Sequence, residues 1–153
     1  MKNFKLNEKD ILSNQDWTFP TTTYYGPGRL NEIGKFCEEF DIKNPLIVTD
    51  SGSKDLPFIK KLIALLSKNN IKSDLFYNIS PNPRDDEISK GCDQFKNGSH
   101  DSIIAIGGGS AMDGGKSICL TVNSETPLWD FEFEQPVPKL SLIHISEPTR
   151  HAS

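Results

Sequence analysis

This chain of 153 residues has few histidines and cysteines and no excess of positive charge. No two of its histidines, His100, His144 and His151, have the four-residue spacing of a metal-binding pair on a helix. Its three cysteines are odd in number and far apart, so they form neither a disulfide framework nor a zinc-binding spacing. Lysine and arginine number 17 against 21 acidic residues, and the net charge of −4 argues against a nucleic-acid-binding surface.

Long apolar runs are absent as well. No segment reaches the length that spans a membrane, and residues 1–5 lack the apolar core of a signal peptide. We therefore expect no membrane partner, a cytoplasmic location and buried, reduced thiols. With a hydrophobic content of 35%, the chain is long enough to form one domain with a substantial core.

Hydrophobic periodicity predicts strands that alternate with helices. The predicted strands are residues 21–25, 45–49, 71–77 and 102–106, and the predicted helices are residues 29–40, 57–68, 85–97 and a last one that starts at Ser110. Because the inner strands are continuous apolar runs, we expect an α/β fold: a Rossmann-like parallel sheet with helices on both faces. Ligands of such sheets bind beyond the carboxyl ends of the strands. Asp50, Asn82 and the glycines that follow Ile106 are predicted to meet there.

Three glycines, Gly107 to Gly109, follow the last apolar strand directly and precede Ser110. Glycines let the backbone approach a phosphate closely, and free N–H groups at a helix start point at its charge, so this segment indicates an anion site. Ser110 is expected to cap the helix, and Asp113 and Lys116, three residues apart, share one of its faces. The pair Gly114-Gly115 costs about 1 kcal/mol per residue inside a helix, which close packing against a strand or a ligand would explain.

Other interpretations of the glycines stay open. Met112 occupies the third glycine position of the G-x-G-x-x-G fingerprint, so the dinucleotide motif of a first strand–helix turn fits only in part. Residues 115–117, Gly-Lys-Ser, supply the end of a Walker A motif, but Ser110 replaces its first glycine. In that P-loop interpretation residues 118–123 form a weak strand. A tight strand–helix turn without any ligand is the remaining alternative.

The pattern from Gly107 to Lys116 resembles the N-terminal domain of the iron-containing (group III) alcohol dehydrogenases. The resemblance covers roughly residues 15–139, and other segments are similar to the family in the same order. These segments are Tyr25-Gly26-Pro27-Gly28, Leu46 to Asp50, Pro81-Asn82-Pro83 and Leu128 to Phe131. Alanines usually stand near Gly114 and Gly115 in the family, so the chain departs from the pattern there.

The resemblance implies a site for NAD or NADP in this domain. Gly108, Gly109 and Ser110 would hold the pyrophosphate, Gly107 would shape the loop, and Asn82 would contact the coenzyme nearby. The resemblance also places Asp113 and Lys116 near the coenzyme, with less definite roles. The alternative is that the two side chains form a solvated ion pair with no ligand.

Asp50 would lie at the adenosine ribose. A carboxylate at that place accepts hydrogen bonds from the ribose hydroxyls and repels a 2′-phosphate, so NAD is favoured over NADP. The alternative role of Asp50 is to cap a helix.

The resemblance also implies a second, all-helical domain with Fe²⁺ or Zn²⁺ bound by an aspartate and three histidines, and homodimers are common in the family. No metal ligand can be assigned in this chain, and a surface role is expected for His100. The sequence is therefore interpreted as the coenzyme domain of a parent enzyme that interconverts a small alcohol and its aldehyde or ketone, with no turnover by the chain itself. Alternatives are a relative of glycerol dehydrogenase or dehydroquinate synthase, a P-loop nucleotide-binding module and a non-catalytic NAD sensor.

The last residues differ in character from the rest. Residues 140–150 are similar to the in-frame translation of a sequencing adaptor, and we expect a dinucleotide-binding domain at 1–139 followed by a non-native tail at 140–153. A genuine strand is the alternative, because Leu140, Leu142 and Ile145 are apolar.

Overall fold

The computed structural model describes residues 24–131 and 142–146. Helices and strands alternate along these residues, as predicted. The helices are α1 (Ile33–Glu39), α2 (Pro57–Lys68), α3 (Asp85–Asn97) and α4 (Gly109–Thr121), and the strands are β1 (Pro45–Asp50), β2 (Asp74–Ile79), β3 (Ser102–Gly107) and β4 (Leu142–Ser146). Short 3-10 turns cover Arg29–Glu32 and Leu128–Asp130. In the described part of the chain, no helix has the length and apolar character needed to cross a bilayer.

The strands form a parallel sheet in the order β2-β1-β3-β4. Strand β1 lies inside it, with Leu46 opposite Asp74 of β2 on one side and Ile103 of β3 on the other. The chain places β2 on one side of β1 and then β3 on the opposite side, so the direction of sheet growth reverses between β1 and β3. Ligands of doubly wound sheets bind in the crevice at such a reversal, beyond the carboxyl ends of the strands.

Helices cover both faces of the sheet, and this confirms the predicted fold class. Leu46 and Val48 of β1 pack in one apolar cluster with α3 and α4, whereas Ile47, which points the opposite way, packs with α1 and α2. Both faces of β1 and β3 are buried, as their continuous apolar sequences predict. The clusters hold the carboxyl ends of β1 and β3 in fixed positions at the crevice.

Several predicted boundaries are wrong for local reasons. The strand predicted at 71–77 starts at Asp74, because Ile71 still belongs to the end of α2: its N–H donates to the Leu66 carbonyl, and Asn70 has a left-handed φ of 59°. Of the strand predicted at 21–25, residues 21–23 lie outside the described residues, and 24–25 have no regular structure. The first helix is divided into a 3-10 turn and α1.

Two glycines inside α4 let the helix lie close to the sheet. A Cβ added to Gly115 would lie 2.5 Å from the Cβ of Ala105, and one added to Gly114 would lie 2.8 Å from Cδ1 of Ile79. Both contacts are too short for real side chains. The expectation that close packing explains these glycines is therefore confirmed, with strand residues as the packing partners.

His100 is buried at the amino end of the sheet, so the surface role expected for it is wrong. Its Nδ1 lies 3.0 Å from the Asn44 carbonyl oxygen, and its Nε2 lies 3.3 Å from an oxygen of Asp74. The carboxylate of Asp101 accepts hydrogen bonds from the N–H groups of Lys43 and Asn44 in the same region. The tertiary fold thus uses His100 to join the starts of β1 and β2, far from the crevice.

Strand β4 pairs with β3 in parallel, with His144 opposite Ala105. The genuine strand and the non-native tail both agree with this pairing, because the exposed edge of β3 offers hydrogen-bonding groups to any compatible extended segment. Most of residues 140–153 lie outside the described residues. The boundary at residue 139 and the origin of the tail stay predictions.

Candidate functional site

The crevice between β1 and β3 begins at Asp50, the last residue of β1. Its Oδ1 accepts a hydrogen bond from the Gly52 N–H at 3.0 Å, and its Oδ2 accepts one from the Ser53 hydroxyl at 2.8 Å. These bonds close a turn after β1. The alternative role of Asp50 as a helix cap is wrong, because α2 begins at Pro57 and Leu56 precedes it as the capping residue. Each carboxylate oxygen keeps lone pairs for further donors.

Gly107 brings the end of β3 against Asp50. Its φ of 138° is a conformation that favours glycine, and an added Cβ would lie 3.0 Å from the Cβ of Ala111 and 3.2 Å from Oδ2 of Asp50. The hydroxyl of Thr49 lies beside the same position at 3.4 Å, is buried, and finds no hydrogen-bond partner among the described residues. The predicted role of Gly107 in shaping the loop fits this geometry.

Gly108 and Gly109 face open space. A Cβ added to either residue would have no atom within 4 Å. The first main-chain hydrogen bond of α4 joins the Met112 N–H to the Gly108 carbonyl, so the preceding N–H groups have no acceptor within the helix. The amino end of this 13-residue helix thus carries free donors and a partial positive charge, beside positions where an added side chain would meet no other atom.

Ser110 has a different role from the predicted helix cap. Helix α4 begins at Gly109, and Gly108 occupies the capping position. The hydroxyl of Ser110 instead donates a hydrogen bond of 2.8 Å to the carbonyl of Pro81, which is 29 residues away in sequence. This bond joins the glycine loop to the Pro81-Asn82-Pro83 loop, so the predicted meeting of the two loops is observed.

A buried carboxylate that the sequence did not single out, Glu87, holds the other side of that loop. Its Oε2 accepts hydrogen bonds from the Ser80 N–H at 3.2 Å, the Ser80 hydroxyl at 3.0 Å and the Arg84 N–H at 3.1 Å. Its Oε1 lies 3.3 Å from the Arg84 guanidinium. A glutamate in the first turn of a helix, at the position that bonds back to the capping residue, is the sequence signal that would have identified it.

The surroundings of Glu87 favour its ionised form. Desolvation by burial acts to raise the pKa of Glu87, but the hydrogen bonds from Ser80 and Arg84 and the charge of Arg84 outweigh it and lower the pKa below its ordinary value. The side chain is therefore a carboxylate at neutral pH, with acceptor oxygens only.

Asn82, Asp113 and Lys116 are exposed at this end of the molecule. The backbone carbonyl of Asn82 lies 2.7 Å from the Ser80 hydroxyl and shares its single proton with Glu87, and the side-chain amide of Asn82 has no partner among the described residues. Asp113 and Lys116 lie one turn apart on α4, yet neither forms an ion pair with another described residue. The fold thus brings Asn82 to the glycine loop but does not form the solvated ion pair.

A pocket of about 290 Å³ opens next to the Pro81-Asn82-Pro83 loop, between the residues that follow β1, the end of β2 and the first turns of α3. Its cationic side chains, Arg84 and Lys90, are paired with Asp86 and Glu87 at 3.0 to 3.3 Å. The pocket consequently offers no unpaired positive charge to an anion.

Other reactive groups lie outside the site. Cys37 and Cys119 are buried and Cys92 is half-buried, and burial raises the pKa of each thiol, to about 11 for Cys37 and Cys119. Two of the three cysteines are therefore buried, as expected. Within residues 24–131 and 142–146, no three His, Cys, Asp or Glu side chains are grouped so that they could hold a metal ion.

The P-loop interpretation is wrong. Residues 110–115, which would form its phosphate-binding loop, belong to helix α4, and residues 118–121 continue that helix instead of forming a strand. A Walker A motif needs a loop at these positions. The N–H groups that have no acceptor within the helix lie one turn earlier, at the three glycines.

Comparison with known proteins agrees with the family resemblance of the sequence. A sequence model of the family "Iron-containing alcohol dehydrogenase" matches residues 20–151. The chain is 28% identical over 147 residues to 1,3-propanediol dehydrogenase from Klebsiella pneumoniae and 34% identical over 136 residues to alcohol dehydrogenase 4 from Schizosaccharomyces pombe. These matches cover 89% and 88% of this chain but 38% and 32% of the relatives, so the chain spans about a third of their length.

Solved structures show the same partial coverage. A crystal structure of 1,3-propanediol oxidoreductase superposes with a TM-score of 0.77 at 27% identity, over 86% of this chain and 35% of that protein. Sulfoacetaldehyde reductase from Bifidobacterium kashiwanohense, solved in complex with NAD⁺, superposes with a TM-score of 0.74 at 25% identity, over 88% of this chain and 35% of that protein. Taken with the doubly wound sheet and its glycine loop, the family match leads to one conclusion: the chain belongs to the iron-containing alcohol dehydrogenase family.

Proposed function

We propose that this chain is the NAD-binding part of a metal-dependent alcohol dehydrogenase that interconverts a small alcohol and its aldehyde or ketone. The open space beside Gly108 and Gly109 carries the proposal, because free N–H groups at a helix start meet there at the reversal point of the sheet. The NAD⁺ complex of a structural relative with the same fold supports the choice of coenzyme.

The diphosphate of the coenzyme lies against the backbone of Gly108, Gly109 and Ser110. These residues contribute N–H groups, while Gly107 turns the chain so that the N–H groups face the open space. Asn82 contributes its unpaired side-chain amide from the neighbouring loop. Asp113 and Lys116 stand further along the exposed side of α4, where they contact the coenzyme from one edge.

Calorimetry with NADH on the 153-residue chain tests this arrangement. We expect uptake that ADP-ribose blocks, because ADP-ribose keeps the diphosphate, and that adenosine alone does not block. Equal competition by adenosine would show that the diphosphate is not what the glycine loop binds, and it would contradict the proposal.

Asp50 is proposed to select NAD over NADP. Its carboxylate is held beside Gly107 by the turn that follows β1, and it keeps lone pairs for the ribose hydroxyls. A 2′-phosphate at the same place would meet a like charge.

The change Asp50→Asn keeps an acceptor for the turn and removes the charge. We expect it to weaken NADH binding by about threefold to tenfold and to improve NADPH binding. Fluorescence titration with both coenzymes measures the ratio, and an unchanged ratio would remove the proposed role of Asp50.

Catalysis requires groups beyond the described residues. NAD supplies the hydride acceptor, but the described side chains do not fit the metal of the family, so no catalytic step is assigned to them. We therefore expect no turnover by this chain with an aldehyde, NADH and added Fe²⁺ or Zn²⁺. Oxidation of NADH at a rate typical of an enzyme would contradict this expectation.

A further inference from the structure

Five residues, Ser80 to Arg84, form the loop that Ser110 joins to the start of α4. Two of them are prolines without an N–H group, so the backbone of this loop has three donors, at Ser80, Asn82 and Arg84. Glu87 accepts two of these three, and its carboxylate thereby ties together the first and last residues of the loop.

The burial of Glu87 makes this attachment strong. The residue is only 6% exposed, and a buried carboxylate is stable only when its oxygens are hydrogen-bonded or paired. Oε2 receives the Ser80 and Arg84 donors, and Oε1 faces the Arg84 guanidinium. Loss of the charge would leave inward-pointing N–H groups with a weaker acceptor, and the ends of the loop would separate more easily.

The middle of the loop is attached at a second point. The hydroxyl of Ser110 donates to the Pro81 carbonyl at 2.8 Å. A serine hydroxyl has one proton, so Ser110 cannot donate to a phosphate while it holds Pro81. The peptide between Pro81 and Asn82 is trans, so its N–H points away from α4 when its carbonyl points toward it.

We infer that Glu87 and Ser110 are positioning residues, which together hold the Pro81-Asn82-Pro83 loop so that the Asn82 side chain reaches a dinucleotide bound at the glycines. This inference rests on the proposed function for its ligand. Glu87 fixes both ends of the loop, and Ser110 fixes its middle to the helix that binds the diphosphate. Ser110 then contributes its backbone N–H to the diphosphate and its hydroxyl to the loop.

A double-mutant cycle on the 153-residue chain tests the inference, with NADH affinity measured by fluorescence. Glu87→Gln and Ser110→Ala should each weaken binding about threefold to tenfold, and Ser110→Thr, which keeps the hydroxyl, should restore it to within about twofold. In an Asn82→Ala background the same two changes should weaken binding less than about twofold, because the side chain they position is gone. Equal losses in both backgrounds would overturn the inference and leave the proposed function intact.

Matched controls remove similar groups elsewhere on the same helices. Asp93→Asn removes an exposed carboxylate from α3, and Ser117→Ala removes a hydroxyl from α4 about two turns beyond Ser110. Both should bind NADH like the unchanged chain. Losses in the controls as large as those of Glu87→Gln and Ser110→Ala would show a general effect on the fold and would overturn the assignment.

Amide hydrogen exchange tests, without any coenzyme, whether Glu87 holds the two ends of the loop. The N–H groups of Ser80 and Arg84 should exchange at least about tenfold faster in Glu87→Gln than in the unchanged chain, while those of β3 keep their rate. Unchanged exchange at Ser80 and Arg84 would overturn the role of Glu87. Failure of the unchanged chain to bind NADH would contradict the proposed function and the coenzyme role of the loop, but this measurement would still report on the attachment itself.

Discussion

Two pairs of adjacent glycines follow the end of β3, and their surroundings differ completely. A Cβ on Gly108 or Gly109 would meet no atom within 4 Å, whereas a Cβ on Gly114 or Gly115 would collide with a strand residue. The first pair lacks side chains although there is room for them, and the second pair lacks them because there is no room. The glycine-rich sequence thus has two physical causes here, and only the first indicates a ligand.

Gly107 precedes the open pair but, like the packed pair, has no room for a side chain. Its substitution should have the largest effect on the free energy of unfolding. Its φ of 138° disfavours any side chain, and an added Cβ would press on Ala111 and on the Asp50 carboxylate. We expect Gly107→Ala to lower the free energy of unfolding by about 3 kcal/mol, measured by urea denaturation. Gly108→Ala is the matched control, with an expected change below about 0.5 kcal/mol. Similar losses in the two variants would break the comparison between the open and packed positions.

Gly115 tests the packed pair. Its added Cβ would lie 2.5 Å from the Cβ of Ala105, and that strand side chain has no rotamer through which to move away. Gly115→Ala should lower the free energy of unfolding by about 1–2 kcal/mol, because overpacking exceeds the gain in helix propensity of about 1 kcal/mol. Adding Ala105→Gly should recover part of the loss. A stabilised Gly115→Ala variant would mean that α4 moves away from the sheet at little cost.

Gly109 tests the open pair through binding. Gly109→Ala places a methyl group in the space proposed for the diphosphate, so NADH affinity should fall at least about tenfold, equivalent to about 1.4 kcal/mol. The free energy of unfolding should stay within about 0.5 kcal/mol, because nothing contacts the new methyl group. Unchanged affinity would place the coenzyme elsewhere and would remove the distinction between the two glycine pairs.

The sequence predicts the helices and strands of this molecule well and the contacts between distant segments poorly. Continuous apolar runs identified β1 and β3, and apolar periodicity gave the bounds of α2 and α3, because these signals are local. The convergence of Asp50, Asn82 and the glycines also followed from the parallel order alone.

Contacts between distant segments could not be predicted in the same way. Ser110 bonds to a carbonyl 29 residues away, and His100 is buried because β1 and β2 start beside it. No local pattern carries either contact. The role of Glu87 could be predicted only in part. Its place in the first helical turn is a capping signal, but its burial depends on how the preceding loop folds back.

The attachment of the Ser80–Arg84 loop by Glu87 gives the last prediction. Glu87→Gln should lower the free energy of unfolding by about 1 kcal/mol at pH 7, because the Ser80 and Arg84 donors lose a charged acceptor. The pKa of Glu87 is lowered in the folded state from an ordinary value of 4.5, so its contribution is complete above about pH 5. The contribution is lost as the pH falls through the lower folded value.

The difference in unfolding free energy between the unchanged chain and Glu87→Gln should therefore shrink as the pH falls below about 5. Urea denaturation at several pH values measures it, with Asp93→Asn as the control for the loss of one negative charge from α3. A difference that stays constant down to pH 3 would show that the charge of Glu87 does not hold the loop. The position of the loop would then depend on the prolines and on Ser110 alone.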